Sequence, residues 1–298
     1  MNFSVVIPTH NRRALLERVV EAAVGQSLPR ADYEVILVDD GSTDGTDALG
    51  EELARRRGIR YVRQANRGVA AARNRGIAEA RGDIVAFTDD DCLVPPDWLA
   101  RLAEGYMRHP EAVGVGGRII APPEVLRTRA VARLEDHVAR RVYGAGDHEV
   151  LGGFECPAGG TNNMSYRRGA LLAAGGFDEG FPPRVWGEDA DLKLRLTRAG
   201  GRLLYVPVAV IHLRDYGLGT FLRQSWQRGR GEAHFRLKHD GRRGTAAQLR
   251  RLLLAPLRLA ACPLRRDPAM RAAAALGDAL LALGALVYRP PRPPVRAS

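Results

Sequence analysis

Four short apolar runs recur roughly every 25–30 residues: Phe3-Ser4-Val5-Val6-Ile7, Glu34-Val35-Ile36-Leu37-Val38, Ile59-Arg60-Tyr61-Val62 and Asp83-Ile84-Val85-Ala86-Phe87. Runs this short, rich in β-branched residues and bounded by turn formers, read as strands, the second and fourth of them buried. Between them the apolar residues change period. Leu15, Leu16, Val19, Val20 and Ala23 recur at helical spacing, Leu49 and Leu53 share a face, and residues 66–80 form a helix of small side chains. Successive parallel strands need a crossover, and a helix is the usual one. The alternation therefore predicts an α/β fold: a Rossmann-like, mostly parallel sheet with helices on both faces.

In such sheets ligands bind beyond the carboxyl ends of the strands. Here those ends are polar and largely acidic. The second strand runs into Asp39-Asp40-Gly41-Ser42, and the fourth into Thr88-Asp89-Asp90-Asp91-Cys92. Consecutive carboxylates repel unless a cation or hydrogen-bond donors hold them, and hard oxygen ligands suit Mg²⁺ or Mn²⁺. Asp is also a common turn and cap residue, with Pro95-Pro96-Asp97 opening a helix just beyond. Taken alone, the triplet fits a metal site or a capped turn. The first strand ends in Pro8-Thr9-His10-Asn11-Arg12, which lacks the G-x-G-x-x-G fingerprint of dinucleotide binders. These side chains can line a base pocket or form an ordinary turn. Asp39 can accept the imide N–H of uracil or thymine, or cap a helix. Arg67 and Arg73 lie among small residues, where they can pair with a diphosphate or remain solvated.

Beyond Trp98 the pattern loosens. Val113, Val115, Gly117 and Ile119 alternate as on a half-exposed strand, and residues 124–143 read as one helix with Leu126, Val131, Leu134, Val138 and Val142 on a face. Residues 152–163 read as a loop, and 168–174 as a short helix stopped by Gly175-Gly176. Glu188, Asp189 and Asp191 open a helix carrying Leu192, Leu194 and Leu196; strands around Pro207 end at His212. Acids at a helix start complement its dipole. The functional reading is a general base, with like charges nearby keeping Asp189 basic. His212 fits either a metal ligand or a structural histidine.

Charge divides the chain. Of 45 Lys and Arg and 34 acids, 17 and 5 fall in residues 214–298, so this tail carries +12 and the rest −1. Such a tail can face anionic lipid, phosphorylated substrate or nucleic acid. Residues 272–288 are rich in Ala and Leu, but Gly277, Asp278 and Gly284 interrupt them. With Leu252-Leu253-Leu254 they read as packed or membrane-surface helices, not a clear transmembrane span. The Pro-rich last ten residues read as disordered. Cys92, Cys156 and Cys262 are far apart, which suggests neither a zinc site nor a disulfide framework and suits a reducing compartment. The N-terminal residues show no signal-peptide pattern, so a cytoplasmic location is expected.

In order and spacing these features resemble the family 2 inverting glycosyltransferases, which have the GT-A fold. The resemblance rests on Val5-Val6-Ile7-Pro8-Thr9-His10-Asn11-Arg12, Val38-Asp39-Asp40-Gly41-Ser42-Thr43-Asp44-Gly45-Thr46, Asn66-Arg67-Gly68 with Ala72-Arg73-Asn74, and Asp89-Asp90-Asp91. It continues through Gly160-Thr161-Asn162-Asn163-Met164-Ser165-Tyr166-Arg167-Arg168, Gly175-Gly176-Phe177-Asp178 and Trp186-Gly187-Glu188-Asp189. It implies a GT-A domain over residues 1–213, with a nucleotide-sugar half (1–110) and an acceptor and catalytic half (111–213), followed by a basic helical extension, 214–298.

The resemblance also assigns roles. Asp39 would contact the base, with Pro8, Thr9 and Asn11 around it, favouring UDP or dTDP over GDP. Arg67 and Arg73 would bind the nucleotide. Asp89 and Asp91 would form the DxD pair, with Asp91 directly on a divalent cation, Mg²⁺ or Mn²⁺. Asp90 would be the replaceable middle position beside the nucleotide sugar. Asp189 would be the catalytic base, Thr161, Asn162, Asn163 and Glu188 would line the acceptor side, and His212 would be a further metal ligand. The implied reaction moves one sugar from a nucleoside-diphosphate sugar to a glycan or lipid-linked acceptor hydroxyl, in cell-surface glycan or glycolipid synthesis. Processive members carry a Gln-x-x-Arg-Trp motif; Arg223-Gln224-Ser225-Trp226-Gln227-Arg228-Gly229-Arg230 departs from it, so single addition is expected. The tail suggests peripheral contact with the inner face of an anionic membrane, with no nucleic acid partner. The competing reading is a non-catalytic GT-A-like binding protein recruited to membrane or nucleic acid through that tail.

Overall fold

A computed structural model describes residues 1–141, 144–181, 186–241, 244–250, 252–253 and 267–290. Val142, Leu254, Cys262 and the last eight residues of the Pro-rich end, on which expectations were placed above, lie outside the described residues. The chain divides into two compact units. One comprises Met1–Pro123, Asp136–Glu179 and Asp189–Arg214; the other comprises Glu124–Glu135, Gly180–Glu188 and Asp215–Ser298.

The first unit is built on a nine-stranded sheet. Its strands are β1 (Phe3–Thr9), β2 (Tyr33–Asp40), β3 (Arg60–Gln64), β4 (Ile84–Phe87), β5 (Cys92–Leu93), β6 (Ala112–Ile120), β7 (Val150–Gly152), β8 (Met164–Arg167) and β9 (Arg202–His212). The order is β3-β2-β1-β4-β8-β6-β9-β5, with β7 pairing on β9. From β3 to β4 all neighbours are parallel, as the strand–helix alternation predicts. β8 runs antiparallel between β4 and β6, and β6 pairs parallel with β9.

Alternate side chains feed two apolar layers. Val5, Ile7, Val35 and Leu37 pack with Leu16, Val19 and Val20 of α1 (Arg13–Val24), Leu53 of α2 (Thr46–Arg57), and Trp98, Leu99 and Leu102 of α4. Val6, Ile36, Val38 and Phe87 face Ala72 and Ile77 of α3 (Val69–Glu79), Leu171 of α7 and Leu192 of α8. Here α4 is Trp98–Arg108, α7 is Arg168–Ala173 and α8 is Glu188–Arg198. Burial on both faces is what makes the strand sequences continuously apolar.

Two expectations change. β6 is not half-exposed: Gly114, Gly116 and Gly117 are buried within it, and a side chain at Gly116 would run into the Met164 sulfur. The single helix expected over 124–143 is two, α5 (Pro123–Thr128) and α6 (Ala130–Arg141).

In the second unit, α9 (Leu218–Asp240) packs on α10 (Pro268–Val287) with backbones almost touching. A Cβ on Gly229 would lie 1.8 Å from the Leu281 carbonyl oxygen, and one on Gly284 would lie 2.3 Å from that of Trp226. Small residues are what permit such an approach between helices. Asp267 accepts from the Met270 N–H to cap α10 and pairs with Arg133 at 2.8 Å. The interruptions at Gly277, Asp278 and Gly284 do not disqualify this helix as a span. Among the described residues α10 is the one helix long and apolar enough to cross a membrane by length and composition, with a third of its apolar window buried.

Candidate active site

The parallel register places the ends of β2, β1 and β4 side by side, with β1 in the middle. The acid clusters are therefore separated by the β1–α1 turn, which ties to both. On one side Thr9 Oγ1 donates to Asp90 Oδ2 at 2.8 Å, and the His10 N–H reaches the same oxygen at 3.3 Å. On the other, the Asn11 N–H donates to Ser42 Oγ at 3.0 Å, and Asn11 Oδ1 accepts from the Thr43 N–H at 2.8 Å. Asn11 adopts φ 54°, a left-handed conformation that Asn tolerates better than most residues. Pro8, buried in β1 opposite Val38, fixes the strand just before this turn.

The triplet begins two residues beyond β4. Asp91 and His212 meet because β5 pairs antiparallel with the end of β9, setting Cys92 opposite His212. His212 Nε2 lies 3.2 Å from Asp91 Oδ1, and Arg12 Nη2 lies 3.5 Å from Asp91 Oδ2. Burial pushes the Asp91 carboxyl up, but the His212 hydrogen bond and charge, with Arg12, outweigh it and hold the group below the usual carboxylate range. Asp89 turns to Arg73, which is buried and lies 3.1 Å away.

Asp90, expected as a replaceable middle position, is engaged by the protein itself. It is the most enclosed by the chain's own donors, held by Thr9, His10 and Arg12, whose Nε lies 3.4 Å from Asp90 Oδ1. Burial above all pushes its pKa up to about 7, with the charges of Asp91 and Asp89 adding and the Thr9 hydrogen bond and Arg12 opposing. An unfolded Asp titrates near about 3.9. The folded state therefore binds the Asp90 proton more tightly. The stability this supplies is whole below pH ~4 and is lost as pH rises through ~7. In metal-free protein, Asp90→Asn will flatten the fall in unfolding free energy between these values, as read by urea denaturation across pH. An equally steep fall in the variant would remove Asp90 as its source.

The β2 acids are also engaged by the protein. Asp39 is fully buried; Oδ1 accepts from the Ser42 N–H and Oδ2 from the Tyr61 hydroxyl, each at 2.8 Å. Its oxygens turn to the turn and to β3, not to open space. Burial and the Asp39 carboxylate raise the Tyr61 phenol above its ordinary range, keeping it a donor. Asp40 accepts from the backbone N–H groups of Arg67 and Gly68 at 2.9 and 2.8 Å, seating the entry to α3. The Arg67 side chain is 66 % exposed and pairs with Glu179 at 2.8 Å.

Asp189 stands in the first turn of α8. Its Oδ1 accepts from the Ala190 N–H at 2.8 Å, while Oδ2 faces Gly160, where a Cβ would come within 2.9 Å. A side chain at this position would have to displace the carboxylate. Of the neighbouring acids, Asp191 is buried and paired with Arg195 at 2.8 Å, and Glu188 Oε2 accepts from the Gly187 N–H. Residues 161–163 make a 3₁₀ turn beside Gly160. Thr161 is buried there, and Asn162 Oδ1 is a buried acceptor with no partner among the described residues. Asn163 does not line an acceptor. It is fully buried, donating to the carbonyls of Arg118 and Val208 at 2.8 and 3.1 Å and accepting from the Trp98 indole at 2.8 Å.

Comparison with known proteins gives the arrangement its family. The model of glycosyl transferase family 2 matches residues 4–171. The chain belongs to glycosyl transferase family 2. A glucosyl-dolichyl phosphate glucuronosyltransferase of Haloferax volcanii is 27 % identical over 76 % of this chain and 75 % of its own length. A pre-mycofactocin glycosyltransferase of Mycobacterium tuberculosis is 34 % identical over 72 % of this chain, which spans 44 % of that relative. A mannosyltransferase from Pyrobaculum calidifontis, solved with GDP-Man and Mn²⁺, superposes with a TM-score of 0.63 at 21 % identity, covering 95 % of this chain and 87 % of that one. This family 2 glycosyltransferase thus has the GT-A fold.

The side chains at the rim fit a hard divalent cation. Among the described residues Asp91, Cys92 and His212 form the group whose potential ligand atoms all lie within 4.8 Å. A carboxylate and an imidazole suit Mn²⁺ or Mg²⁺, whereas burial raises the Cys92 thiol and keeps it protonated, a poor partner for a hard ion. The sequence reading named Asp91 and His212 but passed over Arg12 in the site. Its signal was a cation three residues past a strand end that faces two acids.

Proposed function

We propose that this chain is a divalent-cation-dependent, inverting glycosyltransferase that adds single sugars from a nucleoside-diphosphate donor to an acceptor hydroxyl. The observation that carries the reading is the Asp91–His212 contact at 3.2 Å at the strand ends. It lies in the same compact unit as Asp189, whose Oδ2 faces the glycine turn.

Asp91 and His212, with Asp89, would hold the cation, which when bound supplies Lewis-acid neutralisation of charge growing on the leaving diphosphate. Arg73 and Arg12 add fixed positive charge around the same acids. Asp189 accepts the proton of the acceptor hydroxyl. The oxygen so freed bonds to the anomeric carbon as the carbon–oxygen bond to the diphosphate breaks, and attack from the opposite face inverts that carbon. Thr161, Asn162 and Glu188 belong to the acceptor side of this arrangement.

We place UDP and dTDP ahead of GDP on Asp39, which would exchange the Tyr61 hydroxyl for an imide N–H. The basic 214–298 extension, with its apolar helix α10, supports a role at the cytoplasmic face of an anionic membrane with a lipid-linked acceptor, in cell-envelope glycan or glycolipid synthesis. The likeness to a dolichyl-phosphate-sugar enzyme supports the same acceptor class. The test is thermal unfolding with UDP-, dTDP- and GDP-sugars, with Mn²⁺ and with EDTA. A rise in midpoint for at least one donor, requiring the cation, is expected; no rise with any donor would overturn the reading.

A further inference from the structure

We propose that Lys193 is a positioning residue for the transfer reaction: it holds residues 153–160 against Asp189 and keeps that carboxylate ionised in its working range. The inference rests on Asp189 being the base.

Lys193 follows Asp189 by one helical turn in α8, so the two share a face. Its Nζ donates to the carbonyl oxygens of Ala158 at 2.8 Å and Cys156 at 3.3 Å. These carbonyls belong to a segment between β7 and the 3₁₀ turn with no strand ladder of its own. The next residue, Gly159, donates its N–H to the Gly117 carbonyl of β6 at 2.8 Å. Gly160 then passes against Asp189 Oδ2. Lysine, loop and carboxylate thus close a ring of contacts. Without the ammonium, two part-buried carbonyls lose their donor and the turn facing the base loses its seat.

The charges are linked as well. Burial lowers the Lys193 pKa, and the Asp189 charge is the strongest influence opposing it, with Cys156 and Glu155 following. That attraction is mutual: a cation one turn away favours the ionised carboxylate when substrate excludes water. Tyr166 of β8 also feels Asp189, which with burial raises its phenol and leaves it neutral. Asp191 is occupied by Arg195, so Lys193 is the nearby cation of α8 directed at the base's surroundings.

The test compares Lys193→Met and Lys193→Arg with the parent enzyme, using pH profiles of kcat/KM and thermal midpoints. Lys193→Met is expected to lower kcat about tenfold and move the acid limb up by roughly 0.5–1 pH unit, since the carboxylate loses a nearby cation. Lys193→Arg, which keeps the charge, is expected to keep the parent limb. A parent-like limb in Lys193→Met overturns the proposal, as does an Arg variant whose limb is displaced from that of the parent. The second comparison serves if Lys193→Met does not fold. Asp189→Asn separates the two assignments: substantial activity there removes the base, whereas an inactive Asp189→Asn with an unmoved limb in Lys193→Met removes Lys193 alone.

Discussion

Asp189→Asn will lower kcat by about 10²–10⁴-fold, the span a positioned general base contributes, while nucleotide affinity stays at the parent value. Asn is nearly isosteric, and its side-chain oxygen can still accept the Ala190 N–H that Asp189 Oδ1 now accepts. The start of α8 is therefore preserved, and the contact at Gly160 is not enlarged. What is lost is the capacity to take a proton. The affinity half of the prediction follows from which elements hold each part: the proposed nucleotide site is built from the ends of β1, β2 and β4, whereas Asp189 belongs to α8. Calorimetry with the nucleoside diphosphate and a transfer assay on the same preparation read the two halves. A variant that turns over near the parent rate would remove Asp189 from its role.

Asp91→Ala is expected to have the second largest effect, acting on donor binding as well as rate. The substitution removes one of three proposed cation ligands and leaves His212 and Arg12 without the carboxylate they face. We expect kcat/KM with Mn²⁺ to fall by roughly 10²–10³-fold, consistent with the several kcal/mol a Lewis acid contributes. The enhancement of nucleotide affinity by the cation should vanish with it. Because Asp91 is buried beside Asp90, the variant's thermal midpoint must be measured alongside. Equal nucleotide affinity with and without Mn²⁺ in the parent protein would contradict the cation assignment at its root.

The parts of this molecule that were legible in the sequence are those whose physics is local. β1, β2 and β4 were visible because each is a short apolar run bounded by turn residues, and burial on both faces demands that pattern, while β3, the edge strand with no fully buried residue, was visible from its place in the strand–helix alternation. β5 and β7 were invisible, since two and three residues carry no period. β6 was misread because three of its buried positions are glycines, which show no apolar side chain to count. At the site, residue type and position pointed to the Asp89-Asp90-Asp91 triplet and His212 at strand ends and to Asp189 at a helix start. Partners were not legible. Nothing in the string Asp89-Asp90-Asp91 says that the middle acid is held by Thr9, His10 and Arg12, or that Asp39 faces Tyr61. Asn163 looked like a ligand-facing amide and is a buried brace between β6, β9 and α4. Lys193 gave no signal, because its role depends on a loop that returns to it from more than thirty residues earlier in the chain.

The central claim, cation-dependent transfer with Asp189 as base, is tested most directly by proton NMR of the reaction with a donor of known anomeric configuration. The donor is the one selected by thermal stabilisation, run with Mn²⁺, with EDTA, and with Asp189→Asn. The account predicts a glycoside of inverted configuration with Mn²⁺, and almost no product in the other two. A product of retained configuration, or equal turnover in EDTA or in the variant, would contradict it.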